Sequence, residues 1–326
     1  MVRSFSIIAW VTALTLLSTH EAKGQIPVQP WPAAAATTPG TPIWSEPRGD
    51  QSPMAFPVEC GRPPRTLLKW LVGGPEPEDR DEDTIAFQAD RPDFTEASRT
   101  VGRGRIQLES GYTYSRDRQG GVTFRAHSFP EALFRIGMFA DWFELRIAQN
   151  FLSVSAADNF GSFRASGAED LYLGVKLWLV EQRGILPEAA LQIEGTVPTG
   201  ADAFTENRIQ PGLNLLYGWD IIEDVWTAGG SLLMRRAVDG FGHSFMNLGA
   251  SFTFGFSHTE RLGSYIEWFV IAPSGALPPD LGAQHYLNGG FTYKITEDFQ
   301  LDIRAGVGLS ERSEDFFTGV GFAYRF

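Results

Sequence analysis

Hydrophobic and polar residues alternate along most of the chain, in stretches of about ten residues that begin near residue 103. In "RIQLESGYTY" (105–114), Ile106, Leu108 and Tyr112 share one face, whereas Arg105 and Glu109 share the other. A period of two residues is typical of a β-strand whose faces meet different environments. Twelve such stretches follow one another, at 105–114, 131–138, 143–150, 170–179, 188–196, 212–219, 226–234, 246–256, 265–271, 285–294, 299–309 and 316–326. The pattern predicts an all-β fold.

The connections between these stretches alternate in length. Short connections such as "FAD" after Met138 and "TED" after Ile295 take turns with longer, polar or Gly/Pro-rich ones, which are 115–128, 152–169, 197–211, 235–245, 272–283 and 310–315. This is the connectivity of an up-and-down antiparallel sheet. Large aromatic residues lie near the short connections, where a membrane barrel carries an aromatic girdle; they are Trp142, Trp178, Trp219, Trp226 and Phe299.

A soluble sandwich and a membrane barrel both explain the alternation, but other features favour the barrel. The stretches are close to the roughly 9–11 residues with which a tilted strand crosses a bilayer. Their number is even, their polar faces carry charges of both signs, and the last stretch can pair with the first. Closure is required because an open edge in lipid leaves backbone groups unpaired. We therefore predict a transmembrane antiparallel up-and-down β-barrel of about 12 strands.

The N-terminal third has a different composition. Residues 1–24 have the pattern of a signal peptide, with Arg3 before an apolar core and small residues near the cleavage point. Residues 25–83 contain twelve of the twenty prolines and the acidic run "EPEDRDED", which predicts a disordered linker. Residues 84–102 are then a lead-in or a periplasmic plug, and residues 103–326 the outer-membrane barrel. The single cysteine, Cys60, provides no internal disulfide.

The net charge of −12 argues against nucleic acid as a partner. The expected partners are outer-membrane lipid, the barrel-insertion machinery and a small-molecule solute. The five histidines have no metal-ligand spacing, so we expect neither a metal nor a cofactor. No nucleophile, base and orienting residue share a plausible site, so no catalytic residue is assigned.

Four segments of the sequence resemble those of a known family. "ADRPDFTE" followed by "IQLESGYTY", together with "HSFPEALFRIGMFADWFELRI" and "VPTG", is similar to the outer-membrane transporter-like family labelled "putative MetA-pathway of phenol degradation". The resemblance spans about residues 84–326 and implies at most the passage of small compounds, aromatic ones included. The end of the chain also resembles the C-terminal strand of bacterial outer-membrane barrels, in which the final aromatic residue is part of an insertion signal. That resemblance makes Tyr324 and Phe326 the candidate signal, and implies that both termini and the short turns are periplasmic.

A cluster of charges precedes the first strand and is the candidate plug. Asp90, Arg91, Asp93 and Glu96 are expected to pair with charges inside the barrel. The alternative is a structured lead-in that caps the first strand. The candidate lumen charges are Arg105, Glu109, Glu131, Arg135, Glu144, Arg146, Lys176, Glu194, Asp302 and Arg304.

Three functions follow from this reading. The first is a channel or transporter for small aromatic or hydrophobic compounds, which predicts a continuous polar lumen. The second is a structural or adhesive barrel, which predicts a lumen filled by side chains. The third is an outer-membrane enzyme, which predicts a polar triad on one rim.

Overall fold

A computed structural model describes residues 66–73, 85–238, 243–275 and 282–326. The signal peptide predicted at 1–24, Cys60 and most of the predicted linker lie outside the described residues. One short helix, α1 (Leu67–Gly73), precedes fifteen strand segments. These are β1 (Ile106–Gln119), β2 (Val122–Ser128), β3 (Ala132–Gly137), β4 (Phe143–Gln149), β5 (Phe151–Ala157), β6 (Ser162–Ala168), β7 (Leu171–Val180), β8 (Glu188–Val197), β9 (Gln210–Ile222), β10 (Trp226–Val238), β11 (Ser244–Ser257), β12 (Leu262–Ser274), β13 (Gln284–Thr296), β14 (Phe299–Gly308) and β15 (Phe316–Arg325).

The fifteen segments form one closed antiparallel barrel of twelve strands. Three barrel strands are each broken in two, as β2 with β3, β4 with β5, and β6 with β7. The barrel closes where β15 pairs with β1 along ten residue pairs, from Gln107–Arg325 to Arg116–Phe316. At the end of this seam Ile106 and Phe326 exchange both backbone hydrogen bonds, at 3.0 and 2.8 Å. The predicted fold class is therefore confirmed.

The breaks lie side by side at mid-height, and the first of them results from a proline. Pro130 has no N–H to donate, so the second barrel strand cannot continue its ladder there. The ladder is replaced by local bonds, since Pro130 O accepts hydrogen bonds from Gly111 N and Ser110 Oγ, both at 2.7 Å. The neighbouring break is bridged by Asn150, whose side-chain oxygen accepts from Glu131 N at 3.2 Å.

Two regions predicted as long loops are strands instead. Most of 115–128 is the end of β1, a two-residue turn and β2, and most of 152–169 is β5, a short turn and β6. Their outward residues are polar and their inward residues are mostly apolar or small, as at Phe124, Leu152 and Val154, so the alternation has the opposite sense to that of the other strands. The unbroken strands also reach 14 residues rather than the 9–11 predicted.

The two ends of the barrel differ. We call the end that carries the connections 138–142, 181–187, 223–225, 258–261 and 297–298 the turn end, and the other the loop end. Strand residues whose side chains point outward are mostly large and apolar, whereas those pointing into the lumen are polar and buried. Trp178 departs from the predicted girdle, because it is only 4% exposed and lies in the lumen beneath the Arg99 guanidinium.

Helix α1 lies beside the turn end. Lys69 forms an ion pair with Glu181, and the Trp70 ring lies 5.2 Å from the Trp142 ring. The prediction of disorder throughout 25–83 is therefore wrong for residues 67–73, where the apolar run "LLKWLV" packs against the barrel. No helix of the described residues is long and apolar enough to cross a membrane.

Candidate functional site: the segment inside the barrel

Residues 85–102, which we call the luminal segment, lie inside the barrel. The segment enters at the turn end, where Arg325 Nη1 donates to Ile85 O at 2.8 Å, and it leaves at the same end, where Val101 N donates to Glu144 Oε2 at 2.9 Å. Its two arms are tied together because Ala97 N donates to the Asp90 carboxylate at 3.0 Å. The segment therefore follows a U-shaped path.

Asp90 is the centre of the largest charge cluster. Its carboxylate is fully buried and meets Arg135 at 3.2 Å, Lys176 at 3.1 Å and Arg146. Arg135 and Arg146 also bind Glu144, each at 2.9 Å. Removing one partner of such a buried network leaves an uncompensated charge, at a cost of about 3–5 kcal/mol. The cluster therefore anchors the luminal segment to β3, β4 and β7.

Arg91 sits on the seam that closes the barrel. Its guanidinium donates to Glu131 at 2.7 Å and to both oxygens of Asp302 at 3.3 Å. It occupies the space above Gly111 and Gly321, which are direct partners across β1 and β15. A Cβ on either glycine would approach the guanidinium to 2.3 or 2.2 Å, so only glycine leaves room for Arg91.

Three lumen glutamates accept hydrogen bonds from the backbone of the segment. Glu109 accepts from the backbone N–H groups of residues 90 and 91 at 2.9–3.0 Å, and Glu144 from residue 101. Glu267 accepts from Phe94 N and Thr95 N, both at 2.7 Å. Sequence reasoning missed Glu267, although a lone charge within the apolar stretch "YIEWFVI" is a signal of a lumen position.

Asp93 and Glu96, the other two candidate plug residues, are also buried. Glu96 pairs with Arg146 at 3.2 Å and accepts a hydrogen bond from Gln192. Within the described part of the chain, Asp93 forms no ion pair and its Oδ1 has no hydrogen-bond partner. The expected pairing with lumen charges thus holds in the structure for Glu96 but not for Asp93.

Nine of the ten candidate lumen charges fall into three groups, and Arg105 lies apart from them. Glu109, Arg135, Glu144, Arg146 and Lys176 hold the segment on the β1–β7 side. Glu131, Asp302 and Arg304 surround Arg91, and Arg304 Nη1 donates to Pro92 O at 2.8 Å. Glu194 pairs instead with Arg235 and with the Tyr172 hydroxyl, away from the segment. Arg105 lies at the turn-end rim, just before β1, and is only half-buried.

The β10–β15 side of the lumen contains an aromatic cluster among its polar side chains. The Phe94 ring from the luminal segment stacks on Phe269, with centroids 4.5 Å apart and planes 2° from parallel. Phe269 stacks in turn on Tyr286 at 4.7 Å, and Phe317 and Leu233 complete the cluster. Rings in such contact contribute about 0.5–1.5 kcal/mol per pair beyond their burial. The polar lining expected of a channel is therefore interrupted on this side by an aromatic cluster.

A small polar cavity lies on the other side, between the segment and the breaks in the strands. Its volume is ≈ 60 Å³, room for a few water molecules, and its lining includes Glu131, Asn150, Glu169 and Tyr172. Within the described residues, no group of three or more His, Cys, Asp or Glu could hold a metal ion. The luminal segment and the side chains around it thus fill most of the lumen at this level and leave a small cavity on one side.

Tyr324 and Phe326, the candidate insertion signal, lie on the outer face at the turn end. Their rings stack with centroids 5.7 Å apart, and both side chains are about half-exposed. They continue outward-facing Val320 on the same strand, so the predicted apolar face of the last strand points away from the lumen. A role in insertion stays a prediction.

Comparisons with known proteins agree with this geometry. The sequence model of one family, described as "Putative MetA-pathway of phenol degradation", matches residues 89–326. No curated protein matches the chain. The outer membrane channel COG4313 from Pseudomonas putida F1 is similar in structure, with a TM-score of 0.53 and 15% sequence identity over 70% of this chain and 98% of that one.

Two further solved barrels are more distant. The NanC porin has a TM-score of 0.42 and 8% identity, over 67% of this chain and 98% of that one. The transport unit of the autotransporter AIDA-I from Escherichia coli has a TM-score of 0.46 and 10% identity, over 68% of this chain and 90% of that one.

Proposed function

The chain belongs to the family whose sequence model spans residues 89–326, and on that premise we propose that it is an outer-membrane channel for small aromatic or hydrophobic solutes. The luminal segment is the plug of this channel. The turn end and both termini face the periplasm, and the loop end faces the outside. No catalytic residue, metal or cofactor is part of the proposal.

The parallel stack of Phe94 on Phe269 supports the solute class. Phe94 belongs to the segment and Phe269 to the wall, so withdrawal of the segment uncovers one flat face of a lumen ring. A second aromatic molecule fits that face by the same offset-stacked contact. The Phe94 side chain therefore stands where a passing aromatic solute would be held.

The test is ion conduction by the purified full-length chain in planar bilayers, with blockers added. Benzoate and benzylammonium are each compared with the cyclohexyl compound of the same charge. For a Phe94→Ala variant we expect larger currents than wild type, and block by the two aromatic ions at concentrations several-fold below those of their cyclohexyl counterparts.

Leu71→Ala, on the exposed side of α1, is the matched control and should conduct like the wild type. Equal block by aromatic and cyclohexyl ions would refute the solute class. Unchanged current in Phe94→Ala, together with a folded barrel, would refute the placement of the passage along this wall.

A further inference from the structure

The outer face of the barrel changes character near the loop end of β1, β2, β5 and β6. On β11, β13 and β14 the outward residues stay apolar toward the loop end, as at Leu248, Leu287 and Val307. On the four other segments, the register of pairing places polar residues on the outer face, namely Arg116, Arg118, Thr123, Arg125, Ser153, Ser155, Arg164 and Ser166. We call Arg116, Arg118, Arg125 and Arg164 the arginine face.

The arginines of this face repel one another. Arg116 and Arg125 are direct partners across β1 and β2, and the same row continues through Ser155 to Arg164. Directly opposite side chains have Cβ atoms about 4.5–5.5 Å apart, and like charges there are destabilising. Across the described residues, no carboxylate forms an ion pair with any of the four guanidinium groups, and Arg116 Nε is buried without a hydrogen-bond partner.

The arginine face lies at the membrane surface opposite the turn end. Arg116 follows Ile106, the first residue of β1, by ten positions. A strand that rises about 3.3 Å per residue and is tilted by about 40° gains roughly 25 Å over that length, which is the height of the apolar band of an outer-membrane barrel. The arginines therefore reach the headgroup level of the outer leaflet in the orientation proposed above.

The outward residues between the arginines and the turn end become less polar with distance from the arginines. Tyr114 and His127 pack next to Arg116 and Arg125 with ring centroids 5.2 Å apart, and the Tyr112 hydroxyl bonds His127 Nδ1 at 2.7 Å. Leu108 and Phe134, direct partners on β1 and β3, continue the outer face toward the turn end as an apolar surface. From mid-membrane outward the surface is apolar, then aromatic, then basic and rich in hydroxyl groups.

We propose that this surface binds a phosphorylated glycolipid of the outer leaflet. Acyl chains lie on the apolar residues, sugar rings on Tyr112, Tyr114 and His127, and one phosphate lies between Arg116 and Arg125. The planar guanidinium matches phosphate oxygens with two parallel hydrogen bonds, and the phosphate removes the repulsion between the paired arginines. The serines on β5 and β6 supply donors for the remaining sugar hydroxyls.

The experiment measures binding of lipid A to the full-length, delipidated protein in detergent by native mass spectrometry. The probes are phosphorylated lipid A and the same lipid after phosphatase treatment. The Arg116→Gln/Arg125→Gln double variant should bind the phosphorylated lipid about tenfold more weakly or worse, because two charge-assisted contacts are lost. The control is Arg183→Gln/Arg261→Gln, which removes two exposed arginines at the turn end and should bind like the wild type.

A second readout separates binding from folding. Without lipid, Arg125→Gln should raise the temperature at which the barrel unfolds, because the like-charge pair is relieved. With lipid A present, the wild type should unfold at a higher temperature than Arg125→Gln.

Three results would each overturn the proposal. The first is that wild type binds phosphorylated and phosphatase-treated lipid A equally, and the second is that both double variants lose the same amount of lipid binding. The third is that Arg125→Gln without lipid unfolds at a lower temperature than wild type. None of these measurements involves conduction, so failure of the channel proposal and failure of this one are distinguishable.

Discussion

Arg91 and the glycine pair beneath it show how closely single residues are fitted in this lumen. Gly111 and Gly321 face each other across the seam, and the absence of a Cβ on both leaves room for the guanidinium. Asp302 and Glu131 then hold the guanidinium from two sides. The sequence predicted Arg91 from the charge density of "DRPDFTE", but not its glycine partners, because their role depends on a register between positions 210 residues apart.

A single methyl group at the seam tests this fit. In Gly321→Ala the new Cβ would lie 2.2 Å from Arg91 Nε, so Arg91 must leave its bonds to Asp302 and Glu131. We expect a several-fold rise in ion conductance, because a displaced Arg91 weakens a buried charge pair worth about 3–5 kcal/mol when broken. The measurement is single-channel recording in planar bilayers.

Gly161→Ala provides the matched control for this substitution. It lies in the turn between β5 and β6, where an added Cβ meets nothing within 4 Å, so conductance should stay at the wild-type level. Wild-type conductance in Gly321→Ala, with the barrel still heat-modifiable on a denaturing gel, would contradict the role of Arg91 in occlusion.

Among the strands, the sequence predicted the turn-end halves well and the loop-end halves poorly. The lower parts of the second, third and fourth barrel strands carry large apolar residues on the outer face, as in "FELRI" of β4, and so alternate clearly. The upper parts, such as "SFRASGA" of β6, have serine and arginine on the outer face and phenylalanine, alanine and glycine on the inner face, which is the opposite sense of alternation. Backbone pairing with β5, rather than side-chain hydrophobicity, keeps β6 a strand.

The loop from 309 to 315, at the loop end between β14 and β15, contains a group whose charge depends on pH near neutrality. The pKa of Glu314 is raised to about 7, and burial of the carboxyl group is the main cause. A hydrogen bond donated by Ser115 Oγ opposes this rise, and the nearby Asp117 carboxylate adds to it. Because the pKa in the folded state lies above the ordinary value of 4.5, the folded state is favoured by protonation. The contribution of Glu314 to stability is present below pH 4.5 and is lost as the pH rises toward 7.

We therefore expect Glu314→Gln to reduce the pH dependence of thermal unfolding. Between pH 4.5 and pH 8, the wild type should lose more stability than the variant, since glutamine stays neutral throughout. The measurement is the temperature of the heat-induced band shift at each pH. Glu311→Gln, at an exposed position of the same loop, is the control. An identical pH slope in wild type and Glu314→Gln would show that folding does not raise the pKa of Glu314.

For the molecule as a whole, the sequence predicted a barrel and a charged lead-in, but not how the inside of the barrel is divided. Alternation predicts which residues face inward, and in the structure Glu109, Arg135 and Arg146 lie in the lumen. Hydropathy gives no sign that Phe269, Tyr286 and Phe317 lie there too, because an aromatic residue on an inward position has the same hydropathy as one facing lipid. A polar residue two positions away, as Glu267 is from Phe269, is the sequence signal for such a position.

Deleting residues 84–100 tests the segment at the level of the entire barrel. The strands keep their mutual hydrogen bonds, so we expect a folded, heat-modifiable barrel whose ion conductance is several-fold higher than that of the intact protein. Substituting Arg91→Ala alone should give part of this rise, and high salt should shrink the difference because screening weakens the pairing.

Deletion of residues 25–65 is the control for the segment deletion. It removes most of the Pro-rich region but spares α1 and the luminal segment, so conductance should not change. If the intact protein and the 84–100 deletion conduct equally, the segment is a lead-in to the first strand and not an obstruction.

The U-shaped path of the luminal segment determines how it can leave. Both arms of the U pass through the turn end, so none of the described residues before β1 is threaded from one mouth of the barrel to the other. The segment can therefore leave through the turn end as a loop, without separating β15 from β1 or any other pair of strands. Emptying the lumen then requires only that side-chain contacts be exchanged for water, and the barrel wall has no part in the motion.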